Sequence, residues 1–259
     1  MAHVKQLFDL TGRTAIITGG SIGLGRQMAE ALAEMGANLV LCARKKERCE
    51  EAAAELQQLG VRTLALACNV DNQEEVEKMV QTVLDEFGAI DILVNSAGIC
   101  WATPAEEMTL ANWQKVIDTN LTGTFLCCQA AGKAMIRQQR GKIVNMASIG
   151  GFGGSPRELM AAPSYTASKG AIIALTKDLA CEWAPHNVQV NAIAPGFFPT
   201  HLSGGLMKTK SDVMLRDIPM RRFGREDELK GAVVYLASQA SSFVTGHVLI
   251  VDGGQTAQV

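Results

Sequence analysis

The chain has 259 residues, 47% of them apolar, and its 24 Lys plus Arg against 26 Asp plus Glu leave a net charge of −2. That balance excludes a polybasic binder of nucleic acid or membrane surfaces, and no run reaches the ~20 apolar residues needed to span a bilayer. Seven cysteines without Cys-x-x-Cys spacing read as reduced, buried thiols of a cytoplasmic protein, and residues 1–10 carry no apolar signal segment.

Strand and helix patterns alternate along the chain. Predicted strands cover 14–17, 38–42, 62–67, 92–95, 142–145, 189–193 and 248–251. Predicted helices cover 24–35, 46–59, 73–87, 110–138, 165–184 and 226–238. This alternation implies a parallel sheet with helices on both faces, in one domain spanning 1–259. The first strand runs into Thr18-Gly19-Gly20-Ser21-Ile22-Gly23-Leu24-Gly25 and then a helix. Such a turn lets backbone N–H groups approach a pyrophosphate at the positive end of the helix dipole. Its spacing, Gly-x-x-x-Gly-x-Gly, is not the usual Gly-x-Gly-x-x-Gly dinucleotide fingerprint. The second strand ends at Ala43-Arg44. A carboxylate near such an end binds the ribose 2′-OH of NAD, whereas an Arg accommodates the 2′-phosphate of NADP. Asn72 and Glu75 resemble a capping box for the third helix.

Further along, Asn95-Ser96-Ala97-Gly98 follows a buried strand, and its small residues leave room for a ligand at the carboxyl edge of a sheet. The long helix 110–138 carries a core-like Cys127-Cys128 pair and a small-residue cluster, Ala130, Ala131, Gly132 and Ala134. It ends in Arg137 and Arg140, which are either a common helix C-terminal charge arrangement or a docking point for an acidic carrier protein. Ser148 ends the next strand. The glycine run 150–154 follows it, and Arg157 is either an exposed loop residue or a partner for an anionic substrate group. Tyr165 and Lys169 stand four apart on a helix and share a face. Taken alone this spacing also suits an ordinary surface helix, but a neighbouring ammonium would lower the phenol pKa and allow proton transfer near neutrality. Ala167, Gly170, Ala171 and Ala174 form a second small cluster, read with the first either as a subunit contact or as packing against their own sheet, with Gly170 allowing close backbone approach. Residues 198–221 read either as a surface helix pair with no gating role or as a lid hinged at Gly204-Gly205, with Leu202, Leu206, Met207 and Met214 as its apolar face.

In this order the motifs resemble the short-chain dehydrogenase/reductase family over essentially the whole chain, from Leu10 to Gly254. The residues that carry the likeness are Thr18 to Gly25, Asn95 to Gly98, Asn120, Ser148, Tyr165 with Lys169, and Pro195-Gly196. Two positions depart from the family pattern. Ser96 replaces the second Asn of Asn-Asn-Ala-Gly. Asn69 replaces an acidic residue after the third strand, and its amide still accepts a hydrogen bond. The resemblance implies a Rossmann fold, an α/β doubly wound seven-stranded parallel sheet. It also implies an NAD(P)-dependent oxidoreductase that interconverts a carbonyl and a secondary alcohol, commonly as a homotetramer.

Carried over by position, Tyr165 is the proton donor in reduction and the acceptor in oxidation. Lys169 lowers the tyrosine pKa and holds the nicotinamide ribose. Ser148 steadies the carbonyl oxygen, and Asn120 holds a water that resupplies protons. Gly19, Ser21, Ile22, Gly23, Leu24, Gly25, Arg44, Asn69, Val70, Asn95, Ala97, Gly98, Pro195, Gly196, Phe198 and Thr200 join Tyr165 and Lys169 around the dinucleotide. The acidic cofactor selector of the family falls at Ala43, so Arg44 favours NADP(H), with NAD(H) as the alternative. Ile22, where many NADP-using members carry a basic residue, argues the other way. No metal site is expected. The substrate reading is reduction of a 3-oxoacyl thioester. Its alternative is a sugar acid or polyol, as in gluconate 5-dehydrogenase-like members, and a non-catalytic dinucleotide sensor is a third.

Overall fold

A computed structural model gives the fold and describes residues 3–154, 157, 159–200 and 204–258. Strands β1 (Thr14–Thr18), β2 (Asn38–Ala43), β3 (Thr63–Ala67), β4 (Ile92–Asn95), β5 (Gly141–Met146), β6 (Val188–Pro195) and β7 (Val248–Val251) form one sheet. Their order is β3-β2-β1-β4-β5-β6-β7, and every pairing is parallel. Helix α1 (Val4–Leu7) precedes the sheet and carries no sequence pattern long enough to announce it. The others are α2 (Gly23–Glu34), α3 (Lys46–Gln57), α4 (Gln73–Phe87), α5 (Leu110–Ile117), α6 (Gly123–Gln138), α7 (Pro163–Trp183), α8 (Gly204–Arg216) and α9 (Lys230–Ala237).

The central strands are buried on both faces, which is why they read as continuous apolar runs. Alternate residues feed two cores. Ala15 and Ile17 of β1 pack with Met28, Leu32, Leu56 and Val233 of α2, α3 and α9. Ile16 between them packs with Met79, Cys128 and Trp183 of α4, α6 and α7. The sheet is therefore doubly wound. Its order reverses between β1 and β4, and a ligand crevice is expected at their carboxyl ends. Among the described residues no helix is long and apolar enough to cross a membrane.

Several local features differ from the sequence reading. The predicted helix 110–138 is interrupted by a π turn, Asp118–Thr122, centred on Asn120. The last predicted helix starts only at Lys230, after a turn. Asn72 does cap α4, accepting from Glu75 N–H at 3.1 Å, but Glu75 reaches past it to accept from Asn69 N–H at 2.8 Å. The proposed lid contains α8, kinked at Lys210. Met207 and Met214 are buried there against Leu159, Phe197 and Phe223, so the lid is packed onto the loop after β5. Leu202 and the Leu206 side chain lie outside the described residues. Cys181 is exposed and Cys100 half-buried, against the expectation that all the thiols are buried.

Within the chain, both small-residue clusters include a glycine that lets a neighbour come close. Ala130, Ala131 and Ala134 of α6 are buried, and a side chain on Gly132 would strike the Trp183 ring at 2.7 Å. Gly170 of α7 makes room for the carbonyl of Gly151, 3.3 Å from where its Cβ would be. Ala167 and Ala174 remain on the surface.

Candidate active site

The glycine turn stands at the point where the sheet order reverses. Gly19 (φ 66°) and Gly23 (φ 58°) hold left-handed backbone, a region most side chains avoid. A side chain on Gly25 would run into the Gly19 carbonyl, and one on Gly19 would lie 3.0 Å from the Ala97 backbone. Thr18 draws the ends of β1 and β4 together. Its hydroxyl accepts from the N–H groups of Ser96 and Ala97, both at 3.1 Å. Thr18 opens the glycine motif, but its spacing gave no hint of this bracing role. Ser21 and Ile22 lead into α2. Ile22 is the N-cap and supplies no side-chain acceptor, so the N–H groups of Gly23, Leu24 and Gly25 lack a side-chain cap. Thr200 comes within 3.8 Å of the position a Gly23 Cβ would take. That contact carries the Pro195-Gly196 segment across the mouth of the crevice. An uncapped helix N-terminus behind a turn that excludes side chains at Gly19 and Gly25 fits the pyrophosphate of a dinucleotide.

Arg44 and Lys45 are exposed just beyond β2, and Arg44 has no ion-pair partner among the described residues. Both stand at the carboxyl end of β2. Asn69 donates its side-chain N–H to Asp71 and leaves its amide oxygen as an acceptor. Val70 is buried against Gly123 at the start of α6, and Phe198 is 4% exposed within the core. Any ligand contact at these two positions falls to the backbone.

The remaining residues converge on the carboxyl edge of β4 and β5. Asn95 is 3% exposed and donates to Asn145 Oδ1 at 2.9 Å, which links the two strands beneath the site. Gly98 lies against Asn120 Oδ1 and Lys169 Nζ, 3.3 and 3.8 Å from its would-be Cβ. The Asn120 side chain is engaged at both ends of its amide. Its oxygen accepts from Ile99 N–H at 2.8 Å, and its amide donates to Ile99 O at 2.9 Å and to Ser168 Oγ at 3.1 Å. Ser168 in turn donates to Tyr165 O at 2.7 Å. Asn120 therefore braces the β4 exit against α7, and its amide oxygen, which accepts one bond here, keeps a second lone pair. π turns recur at functional sites because they displace backbone from the helical ladder.

Pro163 starts α7, where its missing N–H costs nothing, and places Tyr165 and Lys169 beside Ser148. Lys169 Nζ donates to Met146 O at 2.6 Å and stands 5.6 Å from the centre of the Tyr165 ring. Burial pushes the Tyr165 phenol above its ordinary value. A hydrogen bond from Ser148 draws it partly back, and Cys100 adds to the rise. This corrects the expectation of a lowered phenol pKa. The ammonium is aimed at the Met146 carbonyl, and desolvation of the phenol is the largest influence on it. Burial likewise pushes Lys169 down to about 8. Cys100, which carried no motif, completes this group. Burial raises its thiol, while Lys169 acts in the opposite direction.

Arg137 and Arg140 are not part of the site. Helices antiparallel to the strands end at the amino edge of the sheet, opposite Ser148 and Tyr165. There Arg140 pairs with Asp91 at 3.0 Å. Both arginines are exposed there, away from the catalytic mouth. Arg157 is paired with Glu106 at 2.6 Å and approaches Glu107 at 4.0 Å.

Comparison with known proteins adds to this geometry. A family profile described as enoyl-(acyl carrier protein) reductase matches residues 19–256. The 3-oxoacyl-[acyl-carrier-protein] reductase of Synechocystis is 39% identical over 95% of this chain and 97% of its own. A short-chain type dehydrogenase/reductase from Mycobacterium marinum superposes with a TM-score of 0.95 at 39% identity, over 99% of this chain and 100% of that one. A gluconate 5-dehydrogenase from Burkholderia cenocepacia, solved with NADP and tartrate, gives a TM-score of 0.95 at 37% identity over the same shares.

Proposed function

This chain belongs to the short-chain dehydrogenase/reductase family and is an oxidoreductase acting on CH–OH groups, and from that premise we propose that it reduces the ketone of a 3-oxoacyl thioester, or a similar ketone, with NADPH. The observation that carries the catalytic part is the convergence of Ser148, Tyr165 and Lys169 beside Gly98 at one edge of the sheet. The bound nicotinamide would supply the hydride. The Ser148 hydroxyl orients the ketone oxygen and donates to it as negative charge develops. The Tyr165 phenol, held protonated by its burial, gives its proton to that oxygen and takes it back in the reverse direction. Lys169 faces the ring and favours the phenolate left behind. Asn120 holds the β4 exit and α7 in register, so that Gly98 and Lys169 keep their spacing.

NADPH is supported by the small Ala43, by Arg44 and Lys45 beyond β2, and by the NADP in the Burkholderia relative. The names of the relatives also support a second substrate reading, oxidation of a sugar acid. A cytoplasmic homotetramer remains our reading of the assembly, with the surface residues Ala167 and Ala174 of α7 available for helix contact.

A panel of 3-oxoacyl thioesters and keto-sugar acids, each offered with NADPH and NADH, tests these readings together, and Tyr165→Phe is its control. Thioester turnover with NADPH is expected, and Tyr165→Phe should lower kcat by about 10²–10⁴-fold while cofactor binding is kept. Turnover confined to sugar acids would promote the second reading. Cofactor binding without turnover of any substrate would make the protein a dinucleotide sensor.

A further inference from the structure

Beside the catalytic pair lies a cavity of about 640 Å³, within the range of small-molecule sites. Its wall includes Pro104, Trp113, Met160, Ala161, Pro163 and Thr166. It adjoins the chemistry directly. The Thr166 hydroxyl, the edge of the Tyr165 ring and the Ser148 hydroxyl all lie within 4.0 Å of the position a Cβ on Gly150 would take. Among the described lining residues only Arg157 and Glu106 carry charge.

These two charges are of opposite sign, and a second carboxylate, Glu107, stands beside the cavity. The single guanidinium faces two carboxylates, Glu106 at 2.6 Å and Glu107 at 4.0 Å. All three side chains are more than half exposed, 62% for Arg157 and 61% and 63% for the two acids. Exposed ion pairs of this kind add little to stability, so the consequence of the cluster is electrostatic. An anionic ligand that approached Arg157 would have to displace Glu106 and would still meet Glu107. Hydrogen bonding to its own backbone and to Arg157 holds the Glu106 carboxyl below its ordinary value, so it stays ionised through the neutral range.

We propose that this cavity seats the non-reacting arm of the substrate, that the arm is apolar and uncharged, and that Glu106 and Glu107 act as specificity residues by keeping Arg157 from anions. The inference rests on the oxidoreductase reading for the identity of the reacting end. It favours an uncharged ketone, such as an acyl thioester presented without a nearby phosphate, over a sugar acid. Trp113 and Met160 provide the apolar contact, and Thr166 marks the side on which the arm leaves the catalytic pair.

Two ketones of one chain length test it: 2-decanone and 9-oxodecanoate, which differ in a terminal methyl against a carboxylate. Binding to the full-length protein is followed by quenching of tryptophan fluorescence, and turnover is followed separately with NADPH. Wild type should bind 2-decanone about five-fold or more tightly than 9-oxodecanoate, as one opposing charge near 4 Å predicts. The double variant Glu106→Gln/Glu107→Gln should improve 9-oxodecanoate by about the same factor and leave 2-decanone within about two-fold. Trp113→Phe, a substitution of similar shape, should lose most of the quench and keep dinucleotide binding. Equal or tighter binding of 9-oxodecanoate by wild type would overturn the proposal, as would a full quench in Trp113→Phe. Absence of hydride transfer to either ketone, with the quench still discriminating between them, would count against the oxidoreductase reading and leave the cavity assignment standing.

Discussion

Tyr165 and Lys169 are each displaced from their ordinary titration by burial, and in opposite directions. The phenol is raised and the ammonium is lowered to about 8. Both shifts favour the neutral form, because a charge in a dry site loses its hydration. For reduction this is consistent chemistry. The phenol keeps its proton to give away, and below about pH 8 the lysine is still cationic and able to stabilise the phenolate. The sign follows directly. As pH rises through about 8 Lys169 loses its charge, so kcat for ketone reduction should be level below that point and fall above it. Lys169→Met should remove the inflection along with most of the activity. A wild-type profile that stays level to pH 9.5 would show that Lys169 does not tune the proton donor.

The elements explain why distant residues share one edge. Parallel strands deliver Thr18, Ala43, Asn95 and Met146 to the same side of the sheet, and each is followed by a segment that contributes to the crevice. The β2 end decides the cofactor reading. Arg44 follows the strand without a partner among the described residues, and Lys45 is the N-cap of α3 with no side-chain cap bond of its own. Arg44→Asp removes a phosphate partner and places a carboxylate where a ribose 2′-OH would lie. The NADPH/NADH ratio of kcat/KM should then fall by about ten-fold or more, since a hydrogen bond to a charged group contributes ~1.5–3 kcal/mol. An unmoved ratio would mean that Arg44 points to solvent. The π turn between α5 and α6 has a comparable local cause. It swings Asn120 inward so that both ends of its amide meet Ile99, a pairing the regular helix predicted for 110–138 did not anticipate.

At the scale of the whole molecule, two lysines tie stability to pH. Lys142, at the amino edge of β5, is 6% exposed and donates to Ser241 Oγ at 3.3 Å. Burial lowers it to about 8, as it does Lys169. In the unfolded chain both titrate near 10.5. Between about pH 8 and 10.5 the unfolded state therefore holds protons that the folded state has released, and stability rises with pH. This contribution is complete above 10.5 and is lost as pH falls through about 8, at about 1–3 kcal/mol for each lysine. Lys142→Met should flatten that rise without touching the catalytic edge. A melting temperature whose slope between pH 8 and 10 matches wild type would mean that Lys142 reaches solvent in the folded protein.

The alternation of buried strands and amphipathic helices determined the sheet and its double winding, because periodicity and run length are local properties that survive in the sequence. The glycine turn, Ser148, Tyr165 and Lys169 were legible for a similar reason, since their residue types and chain order carry the family resemblance. What the tertiary structure decided is whatever depends on which neighbour arrives. Burial, which no local pattern reports, set the direction of the Tyr165 shift, whereas the i+4 spacing had pointed the other way. Gly132 of α6 makes room for the Trp183 ring, since smallness marks a close approach without naming the partner. Arg140 went to Asp91 at the far edge of the sheet, and Arg157 to Glu106 across 51 positions of chain. Charge partners are chosen by the fold, and a sequence shows only that the charges exist.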